Sequence, residues 1–237
     1  MKFSGKTAIV TGGTGALGSV CVEHLFDAGL SIAIPYNSEK SLTHVPKRIA
    51  ESSSRLLTVN VDLTAEDQVE SFFGQVVKRF GTIDYLVNTA GGYAGGSTID
   101  EVSLEEWEGM MKLNMRTAFL ICRGALRVMR KQSFGRIVNI AAMPALSPSA
   151  KKGPYAISKR AVVTLTETIA EEMKGSGITA NAIAPSIILT DANRHSMPKS
   201  DFAKWVTPQE IAQLVLYLCS DEARSVSGNI IKAYGGV

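Results

Sequence analysis

The stretch KTAIVTGGTGALG (residues 6–18) places a short apolar strand directly before a glycine-rich loop. An apolar pattern of helical spacing comes next, with Cys21 and Leu25 on the apolar face, and ends at Gly29. Glycines between a strand and a helix let the backbone approach a pyrophosphate, which then binds the N-terminal amides of the helix. The stretch therefore predicts a dinucleotide-binding βα unit, with an ordinary βα turn of another α/β fold as the alternative.

The rest of the chain continues this alternation of apolar strands and amphipathic helices. The predicted strands span residues 6–11, 31–35, 56–61, 83–87, 136–141, 178–184 and 229–233. The further predicted helices span residues 41–54, with Pro46 marking an irregular start, and 64–80, 103–129, 155–174 and 207–218. Residues 187–206 are predicted to form a loop. Such βαβ succession predicts an α/β fold: a doubly wound parallel sheet of about seven strands, flanked by helices on both faces, in a single domain over residues 1–237.

Polar residues mark the predicted starts of three helices. Thr64 opens an N-cap signature before the acidic pair at 66–67, and Ser103 with Glu106 has the spacing of a capping box. Thr207 precedes Pro208, a residue favoured in the first turn of a helix. These signals fix where the corresponding helices are expected to begin.

Composition excludes several classes of protein. The formal charge of +3 is mild, and no Lys/Arg block indicates nucleic-acid binding. Cys21, Cys122 and Cys219 lie in apolar helical patterns without metal-like spacing, so we expect reduced core thiols, no metal site and a cytoplasmic location. The first residues, MKFSGKTAIVTGG, lead straight into a strand, which predicts no signal peptide, and no apolar run is long enough for a membrane span.

The end of the second predicted strand bears on the choice between NAD and NADP. A carboxylate there would bind the 2′-hydroxyl of NAD, whereas a basic or small polar group would admit the 2′-phosphate of NADP. The chain offers Asn37, Ser38 and Lys40 as partners for a phosphate, and no acid stands at the strand end. This favours NADP slightly, with NAD left open because Glu39 could reach the same place.

A second informative stretch is GRIVNIAAMPALSPSAKKGPYAISK (residues 135–159), which runs from an apolar strand through a Pro/Ser-rich loop into a helix. Residues four apart share one face of a helix, so Tyr155 and Lys159 point the same way. We expect the lysine ammonium to lower the pKa of the phenol and make Tyr155 a proton donor or acceptor near neutral pH. The alternative is an ordinary half-exposed helix face.

The residues after four predicted strands converge on one edge of the sheet. Gly12, Asn88, Ala142 and Pro185 each come after a strand, and ligands of parallel α/β sheets bind beyond the carboxyl ends of the strands. Asn114 lies inside a long helix among apolar neighbours, where a buried amide needs a hydrogen-bond partner. The sequence therefore predicts a site at this edge.

Taken together, these motifs resemble the short-chain dehydrogenase/reductase superfamily over the whole chain. The matching pieces are Thr11-Gly12 to Gly18, Asp62, Asn88-Thr89-Ala90-Gly91, Asn114, Tyr155 with Lys159, Asn181 to Pro185, and Thr190. The resemblance implies a Rossmann-type fold and an NAD(P)H-dependent oxidoreductase that transfers hydride to a C=O or C=N group of a small or medium organic substrate. It also implies a homodimer or homotetramer built through the helices near residues 104–131 and 155–174.

The resemblance also implies roles for individual residues. Tyr155 would be the general acid, Lys159 would hold the nicotinamide ribose, and Asn114 would hold a water in a proton relay. Asp62 would contact the adenine and Ala90 the adenosine side, while Ile188 and Thr190 would meet the nicotinamide amide. The full set expected to bind NADP or NAD is Gly12, Thr14, Ala16, Leu17, Gly18, Asn37, Ser38, Asp62, Leu63, Asn88, Ala90, Gly91, Tyr155, Lys159, Pro185, Ile188 and Thr190.

The chain departs from the family pattern at three positions. Ala16 replaces the second glycine of the family's motif, and Ser186 stands after Pro185 where glycine is usual. The third departure bears on catalysis. The catalytic serine normally stands thirteen residues before the tyrosine, and 155 − 13 = 142 is Ala142. Losing such a donor to the substrate oxygen typically costs about 3–4 kcal/mol in the transition state.

Three interpretations of Ala142 stay open. Tyr155 acts alone on an activated substrate such as a conjugated imine, an arrangement that resembles dihydropteridine reductase in lacking the serine. Alternatively, Ser147 or Ser149 replaces the missing hydroxyl. In the third, catalysis has been lost and the protein is a dinucleotide-binding sensor or regulatory partner.

The expected substrate pocket contains residues from three loops, namely Tyr93, Ala142, Met143 and Ser186. Arg194 and His195 could meet an anion, but ordinary solvated loop residues are the favoured interpretation. His24 and His44 are expected to be structural or exposed. We therefore expect a small-molecule substrate, and neither a nucleic acid nor a membrane as partner.

Overall fold

The computed structural model describes residues 3–237 and has one seven-stranded sheet across that range. Met1 and Lys2, which begin the segment predicted to lack a signal peptide, lie outside the described residues. The strands are β1 Thr7–Thr11, β2 Ser31–Tyr36, β3 Leu56–Asn60, β4 Tyr85–Asn88, β5 Gly135–Ile140, β6 Ile178–Pro185 and β7 Ile230–Ala233. All neighbours pair in parallel, in the order β3-β2-β1-β4-β5-β6-β7, so the predicted doubly wound sheet is confirmed.

The helices connect these strands and cover both faces of the sheet. They are α1 Ala16–Asp27, α2 Lys47–Ala50, α3 Glu66–Phe80, α4 Leu104–Met110, α5 Thr117–Gln132, α6 Met143–Leu146, α7 Gly153–Glu172, α8 Asp191–Ser196 and α9 Pro208–Cys219. One core packs α1 and α9 against the sheet, with Leu25 and Val215 fully buried. The other packs α3, α5 and α7 on the opposite face, around Phe72, Ile121 and Ile169. Burial of apolar surface on both faces explains why the strands are nearly all hydrophobic.

Three predicted segments differ from the structure. The helix predicted over 41–54 is instead a 3₁₀ turn, Glu39–His44, and then α2, because Pro46 between them lacks the N–H that a continuous helix needs. The loop predicted over 187–206 contains α8, and the Pro/Ser-rich loop after β5 contains α6. Helices this short leave almost no periodic signal in a sequence.

The capping predictions have mixed outcomes. Thr207 and Glu210 form a reciprocal capping box at α9. Ser103 accepts from the Glu106 amide as predicted, but the Glu106 side chain does not return the bond, and its buried Oε1 has no hydrogen-bond partner within residues 3–237. Thr64 does not cap α3: the N-cap residue is Ala65, and the Thr64 hydroxyl donates to Asp62 instead. The prediction for Thr64 is therefore wrong by one position, because Asp62 competes for its hydroxyl.

The long helix predicted over residues 103–129 is continuous but not uniform. A π-helical stretch, Met111–Arg116, lies between α4 and α5 and contains Asn114. Such bulges insert an extra residue into the helical ladder and frequently occur at functional sites. The stretch packs against α7, so it brings Asn114 close to the helix that carries Tyr155 and Lys159.

The cysteines lie in the two cores, as predicted. Cys21, Cys122 and Cys219 are buried free thiols, and burial raises the pKa of each to about 12. A thiol with so high a pKa carries little thiolate and is unreactive at neutral pH. No helix among the described residues combines the length and apolar character needed to cross a membrane.

Candidate active site

The glycine loop between β1 and α1 is tightly packed against the loop after β4. Gly12 has φ +64°, and a β-carbon there would lie 2.9 Å from the Ala90 amide nitrogen and from Thr89 Oγ1. A β-carbon on Gly18 would lie 2.0 Å from the Gly12 carbonyl oxygen. These positions accept only glycine without movement of the backbone. Ala16, where the family has glycine, is exposed at the first residue of α1, so its methyl group is accommodated.

An elongated cleft of about 590 Å³ runs along the carboxyl ends of β1 to β4. Its lining combines the glycine loop with the residues after β2, β3 and β4: Gly12, Thr14, Gly15, Pro35, Tyr36, Asn37, Val61, Asp62, Leu63, Thr64, Thr89, Ala90, Gly91, Leu113 and Thr117. The N-terminal amides of α1 follow directly after this loop, and a helix N-terminus favours a bound anion. The lining suits the adenosine and pyrophosphate part of a dinucleotide, whereas the residues expected at the nicotinamide end, namely Tyr155, Lys159, Pro185, Ile188 and Thr190, are not among the lining residues.

Not every residue expected to bind the cofactor lines this cleft. Leu17 and Gly18 are buried behind the loop, and Ser38 is exposed beyond the end of β2. Asn88 is also buried: its side chain accepts from Thr11 Oγ1 at 2.6 Å and donates to Asn139 Oδ1 at 3.1 Å. These four residues thus shape the cleft from behind or from its rim.

Asp62 presents a fixed, ionised carboxylate at the cleft. Its Oδ1 accepts hydrogen bonds from the hydroxyl and the amide of Thr64 at 2.7 and 2.8 Å. These bonds lower the pKa of Asp62, with a smaller contribution from Lys112 and Arg116. The carboxylate keeps free acceptor capacity for an exocyclic amino group such as that of adenine.

The glycine loop is also held by a contact that sequence reasoning missed. The exposed ring of His44 meets the Thr14 carbonyl oxygen through Nδ1 at 2.8 Å and so ties the 3₁₀ turn to the glycine loop. Nearby, Asn37, Ser38 and Lys40 are all exposed. His24, by contrast, meets the Val20 carbonyl of its own helix through Nδ1 at 2.9 Å, as a structural histidine would.

Tyr155 and Lys159 lie one helical turn apart on α7. The buried Lys159 Nζ donates to the carbonyl of Ile140, the last residue of β5, at 2.9 Å, and burial lowers the pKa of the ammonium to about 8. The pKa of Tyr155 is raised to about 12, first by burial and then by the neighbouring Tyr93. The expected lowering by the lysine is therefore wrong for this structure, because Lys159 is turned to the strand and the phenol is enclosed.

Asn114 connects the π-helical stretch to the loop after β4 and to α7. Its Oδ1 accepts from the Gly92 amide at 3.0 Å, and its Nδ2 donates to the Gly92 carbonyl at 3.1 Å and to Ser158 Oγ at 3.0 Å. Ser158 Oγ in turn donates to the Tyr155 carbonyl at 2.8 Å. The prediction that this buried amide needs partners is confirmed, but Ser158 was not foreseen.

Three of the residues expected on the substrate side, Ala142, Met143 and Ser186, follow β5 and β6. Ala142 is buried in extended backbone before α6, whereas Ser147 and Ser149 are exposed beyond that helix. After β6, Ser186 Oγ donates to the Tyr234 carbonyl at 2.8 Å, and Thr190 Oγ1 caps α8. The hydroxyls of these two residues are thus already engaged.

The other residues in this region, Pro185 and Ile188 expected to bind the cofactor and Met143, Arg194 and His195 considered for the substrate, differ in how exposed they are. Pro185 ends β6 in a buried position, and Ile188 bridges to Val206. Met143 is half-buried at the start of α6. Arg194 and His195 are exposed, with the guanidinium over the Phe202 ring, so both behave as solvated residues of α8.

The lowered pKa of Lys159 predicts a pH-dependent stability of the cofactor-free protein. Between pH about 8 and about 10.5 the unfolded chain binds a proton at this lysine that the folded chain has lost. The free energy of unfolding should therefore rise with pH across that window, by at most about 3 kcal/mol, relative to Lys159→Met. Below pH about 8 both states are protonated, and the full cost of the buried charge remains.

Denaturant titrations of both proteins from pH 7 to 10.5 measure this difference. Lys78→Met, at an exposed lysine of α3, controls for the loss of a positive charge. A difference between wild type and Lys159→Met that stays constant with pH would contradict the prediction.

The chain is similar in sequence to known proteins. The sequence model of the family described as short chain dehydrogenase matches residues 6–201. D-beta-hydroxybutyrate dehydrogenase of Rhizobium meliloti (strain 1021) is 30% identical over 98% of each chain. Among the described residues, no group of three or more His, Cys, Asp or Glu side chains could hold a metal ion.

Two solved structures share the fold and carry the two forms of the cofactor. The crystal structure of NAD+-bound xylitol dehydrogenase is 26% identical, has a TM-score of 0.91 and is covered over 100% of each chain. A variant of actinorhodin polyketide ketoreductase with NADPH is 27% identical and has a TM-score of 0.89, over 98% of this chain and 96% of that one. This chain thus shares its fold with one protein crystallised with NAD+ and with one crystallised with NADPH.

Proposed function

The chain belongs to the short-chain dehydrogenase family of NAD(P)-dependent oxidoreductases, and we propose that it reduces a C=O or C=N group of a small or medium organic substrate. The observation that carries this proposal is the position of Tyr155 and Lys159 on α7, with Asn114 joined to the same helix through Ser158. These groups stand at the sheet edge that also forms the dinucleotide cleft. A proton donor and a cofactor cleft at one edge are what carbonyl reduction requires.

Each residue has a distinct part in the proposed reaction. When bound, NAD(P)H supplies a hydride from its nicotinamide ring. The Tyr155 hydroxyl donates its proton to the oxygen or nitrogen of the substrate as negative charge develops there. The Lys159 ammonium binds the nicotinamide ribose and, by moving away from the Ile140 carbonyl, stabilises the tyrosinate that remains. Asn114 holds the Gly92 backbone next to α7 and positions a water that returns the proton to the tyrosinate.

We further propose that the site works without the serine of the family, since Ala142 offers no hydroxyl. Exposed Ser147 and Ser149 are separated from Ala142 by α6, which disfavours their substitution for it. The substrate must therefore polarise readily, as a conjugated or cationic C=N or an activated ketone does. Tyr155 is then the only hydroxyl that we assign to protonation.

Ala142→Ser should raise kcat/KM for simple ketones by roughly ten- to a hundredfold, because it restores a second donor to the substrate oxygen. The added hydroxyl could instead cap α6, where Ala142 is the N-cap residue, so thermal stability should be measured alongside. Ala141→Ser is the matched control, because it adds the same group one residue earlier in a buried apolar cluster. A fall in activity specific to Ala142→Ser would show instead that the site needs a methyl group there.

A non-catalytic dinucleotide-binding sensor remains the second candidate. Ala142 and the high pKa of Tyr155 favour it, because both weaken the acid-base apparatus. Against it, a sensor has no need for the bonds that join Asn114 to α7. The two candidates differ in whether any substrate is turned over.

We propose that the active form is a homodimer or homotetramer. Leu104, Phe119 and Ile157 are exposed large apolar residues on α4, α5 and α7, the helices expected to meet a second copy. For the cofactor we propose NADP, since Asn37, Ser38 and Lys40 leave room for a 2′-phosphate. The three buried thiols suit the reducing cytoplasm that we propose as the location.

Absorbance loss of NADPH and of NADH tests the proposed function directly. The panel should contain simple ketones, α-diketones and quinonoid dihydropterin, with binding of each cofactor measured separately by fluorescence. Turnover of any of these compounds supports the enzyme, and the preferred nucleotide decides between NADP and NAD. Tight cofactor binding without turnover across the panel would favour the sensor.

A further inference from the structure

Tyr93 stands against the proposed proton donor. Its ring and that of Tyr155 lie edge to face, with centroids 5.0 Å apart and planes at 86°. Tyr93 is 59% exposed, although a large aromatic side chain at a surface is usually covered. The exposed ring of Tyr93 thus stands in contact with the half-buried ring of the proposed proton donor.

The loop that carries Tyr93 is anchored on both sides. The Gly92 amide donates to Asn114 Oδ1 at 3.0 Å, and the Gly96 amide donates to the Lys151 carbonyl at 2.8 Å. Only three residues separate these two anchors. Between them, a β-carbon on Gly95 would lie 2.9 Å from the Tyr93 hydroxyl oxygen, so the ring packs directly over that glycine. These hydrogen bonds fix the backbone on both sides of Tyr93, and its side chain packs against Gly95.

Two perpendicular rings define a corner that favours flat ligands. A planar conjugated ring can lie parallel to one of the two rings while it meets the other edge-on, and both arrangements are favourable for aromatic groups. A puckered saturated ring of the same size cannot make either contact as closely. The two phenols are also close enough that Tyr93 adds an electrostatic contribution to the raised pKa of Tyr155, after the larger effect of burial.

We propose that Tyr93 is a specificity-determining residue that selects substrates whose reacting carbonyl or imine is conjugated to a flat ring. This inference rests on the proposed function, because it assumes that Tyr155 protonates the substrate. Conjugation also provides the polarised acceptor that a site with Ala142 needs. The aromatic ring of Tyr93 carries the selection, and its hydroxyl does not.

A matched pair of diketones tests the inference. 1-Phenyl-1,2-propanedione and 1-cyclohexyl-1,2-propanedione carry the same diketone on a flat conjugated ring and on a puckered saturated ring, and the change in their ratio on substitution of Tyr93 isolates the contribution of this residue. We expect the wild-type protein to prefer the phenyl compound in kcat/KM, and Tyr93→Ala to reduce that preference about five- to tenfold. Tyr93→Phe should keep the preference within about twofold of wild type. Tyr217→Ala, at an exposed tyrosine of α9, controls for loss of a surface aromatic residue.

Two further measurements distinguish substrate selection by Tyr93 from a purely structural role of this residue in its loop. The pH profile of kcat for Tyr93→Ala should shift to lower pH, because opening the corner lets water reach the Tyr155 phenol. Cofactor affinity, measured by fluorescence titration, should stay unchanged in all three variants. A uniform loss of activity toward both diketones with an unshifted pH profile would overturn the inference.

The remaining outcomes are also decisive. If Tyr93→Phe loses the preference as fully as Tyr93→Ala, the hydroxyl selects and the inference is overturned. If the wild-type protein reduces other carbonyl compounds but favours the cyclohexyl diketone or accepts neither, the inference fails while the proposed function stands. If no compound of the full panel is reduced although cofactor binds, the proposed function itself fails.

Discussion

Replacing Tyr155 with phenylalanine is expected to lower kcat roughly a hundred- to ten-thousandfold, with little change in the dissociation constant for NADPH. The substitution removes only the phenolic oxygen, so the ring still packs edge to face on Tyr93 and α7 keeps its position. The effect should be near the upper end of that range, because Ala142 supplies no second hydroxyl to the substrate. Stopped-flow or steady-state absorbance gives the rate, and fluorescence titration gives the affinity.

A suitable control is Tyr217→Phe, which removes the same atom from an exposed tyrosine on α9. It should match wild type in rate, affinity and thermal stability. Retained turnover in Tyr155→Phe would remove this residue from the mechanism. In that case another group must donate the proton, and the Ser158 and Lys159 hydrogen bonds described above would need a purely structural explanation.

The high pKa of Tyr155 shows why this site could not be worked out fully from the sequence. The spacing from Tyr155 to Lys159 correctly predicts that both lie on one face of α7, because helical geometry is local. Whether the ammonium meets the phenol depends on the strand and loops packed around the helix. Here the Ile140 carbonyl binds Lys159 and Tyr93 covers Tyr155, and these contacts join residues 19 and 62 positions apart.

The same contrast between local and distant information explains which parts of the fold could be predicted from the sequence. The strands, the glycine loop and the long helices are set by apolar periodicity and were predicted to within a few residues. The π-helical stretch around Asn114 was not, because its stability depends on partners in Gly92 and Ser158. The 3₁₀ turn that brings His44 to the glycine loop likewise depends on a contact 30 residues away in the chain.

The glycine loop provides the second large effect. Gly18→Ala should weaken NADPH binding at least about a hundredfold and lower the free energy of unfolding by about 1–3 kcal/mol. Its β-carbon would lie 2.0 Å from the Gly12 carbonyl oxygen and 2.8 Å from Thr89 Oγ1, so the loop backbone must move away from the start of α1. Movement there misplaces the amides that we expect to hold the pyrophosphate.

Alanine substitutions at three other glycines give a graded comparison with Gly18→Ala. A β-carbon would meet backbone at 2.9 Å on Gly12 and at 3.2 Å on Gly15, but would meet nothing within 4 Å on Gly74, in the middle of α3. Loss of NADPH affinity, measured by fluorescence titration, should thus decrease from Gly18→Ala through Gly12→Ala to Gly15→Ala. Gly74→Ala should leave affinity unchanged and stabilise the fold by about 0.5–1 kcal/mol, because alanine is the better helix former.

This graded series separates damage to the cofactor site from damage to the fold. If Gly18→Ala does not fold, which circular dichroism would show, Gly12→Ala and Gly15→Ala still report on the loop. The NADPH affinities of Gly12→Ala and Gly15→Ala should fall by more than any loss in their free energy of unfolding explains, since Gly12 and Gly15 both line the cleft. Equal NADPH affinity in wild type, Gly12→Ala and Gly15→Ala would mean that the pyrophosphate does not bind at this loop. The dinucleotide would then have to bind elsewhere along the sheet edge, away from the N-terminus of α1.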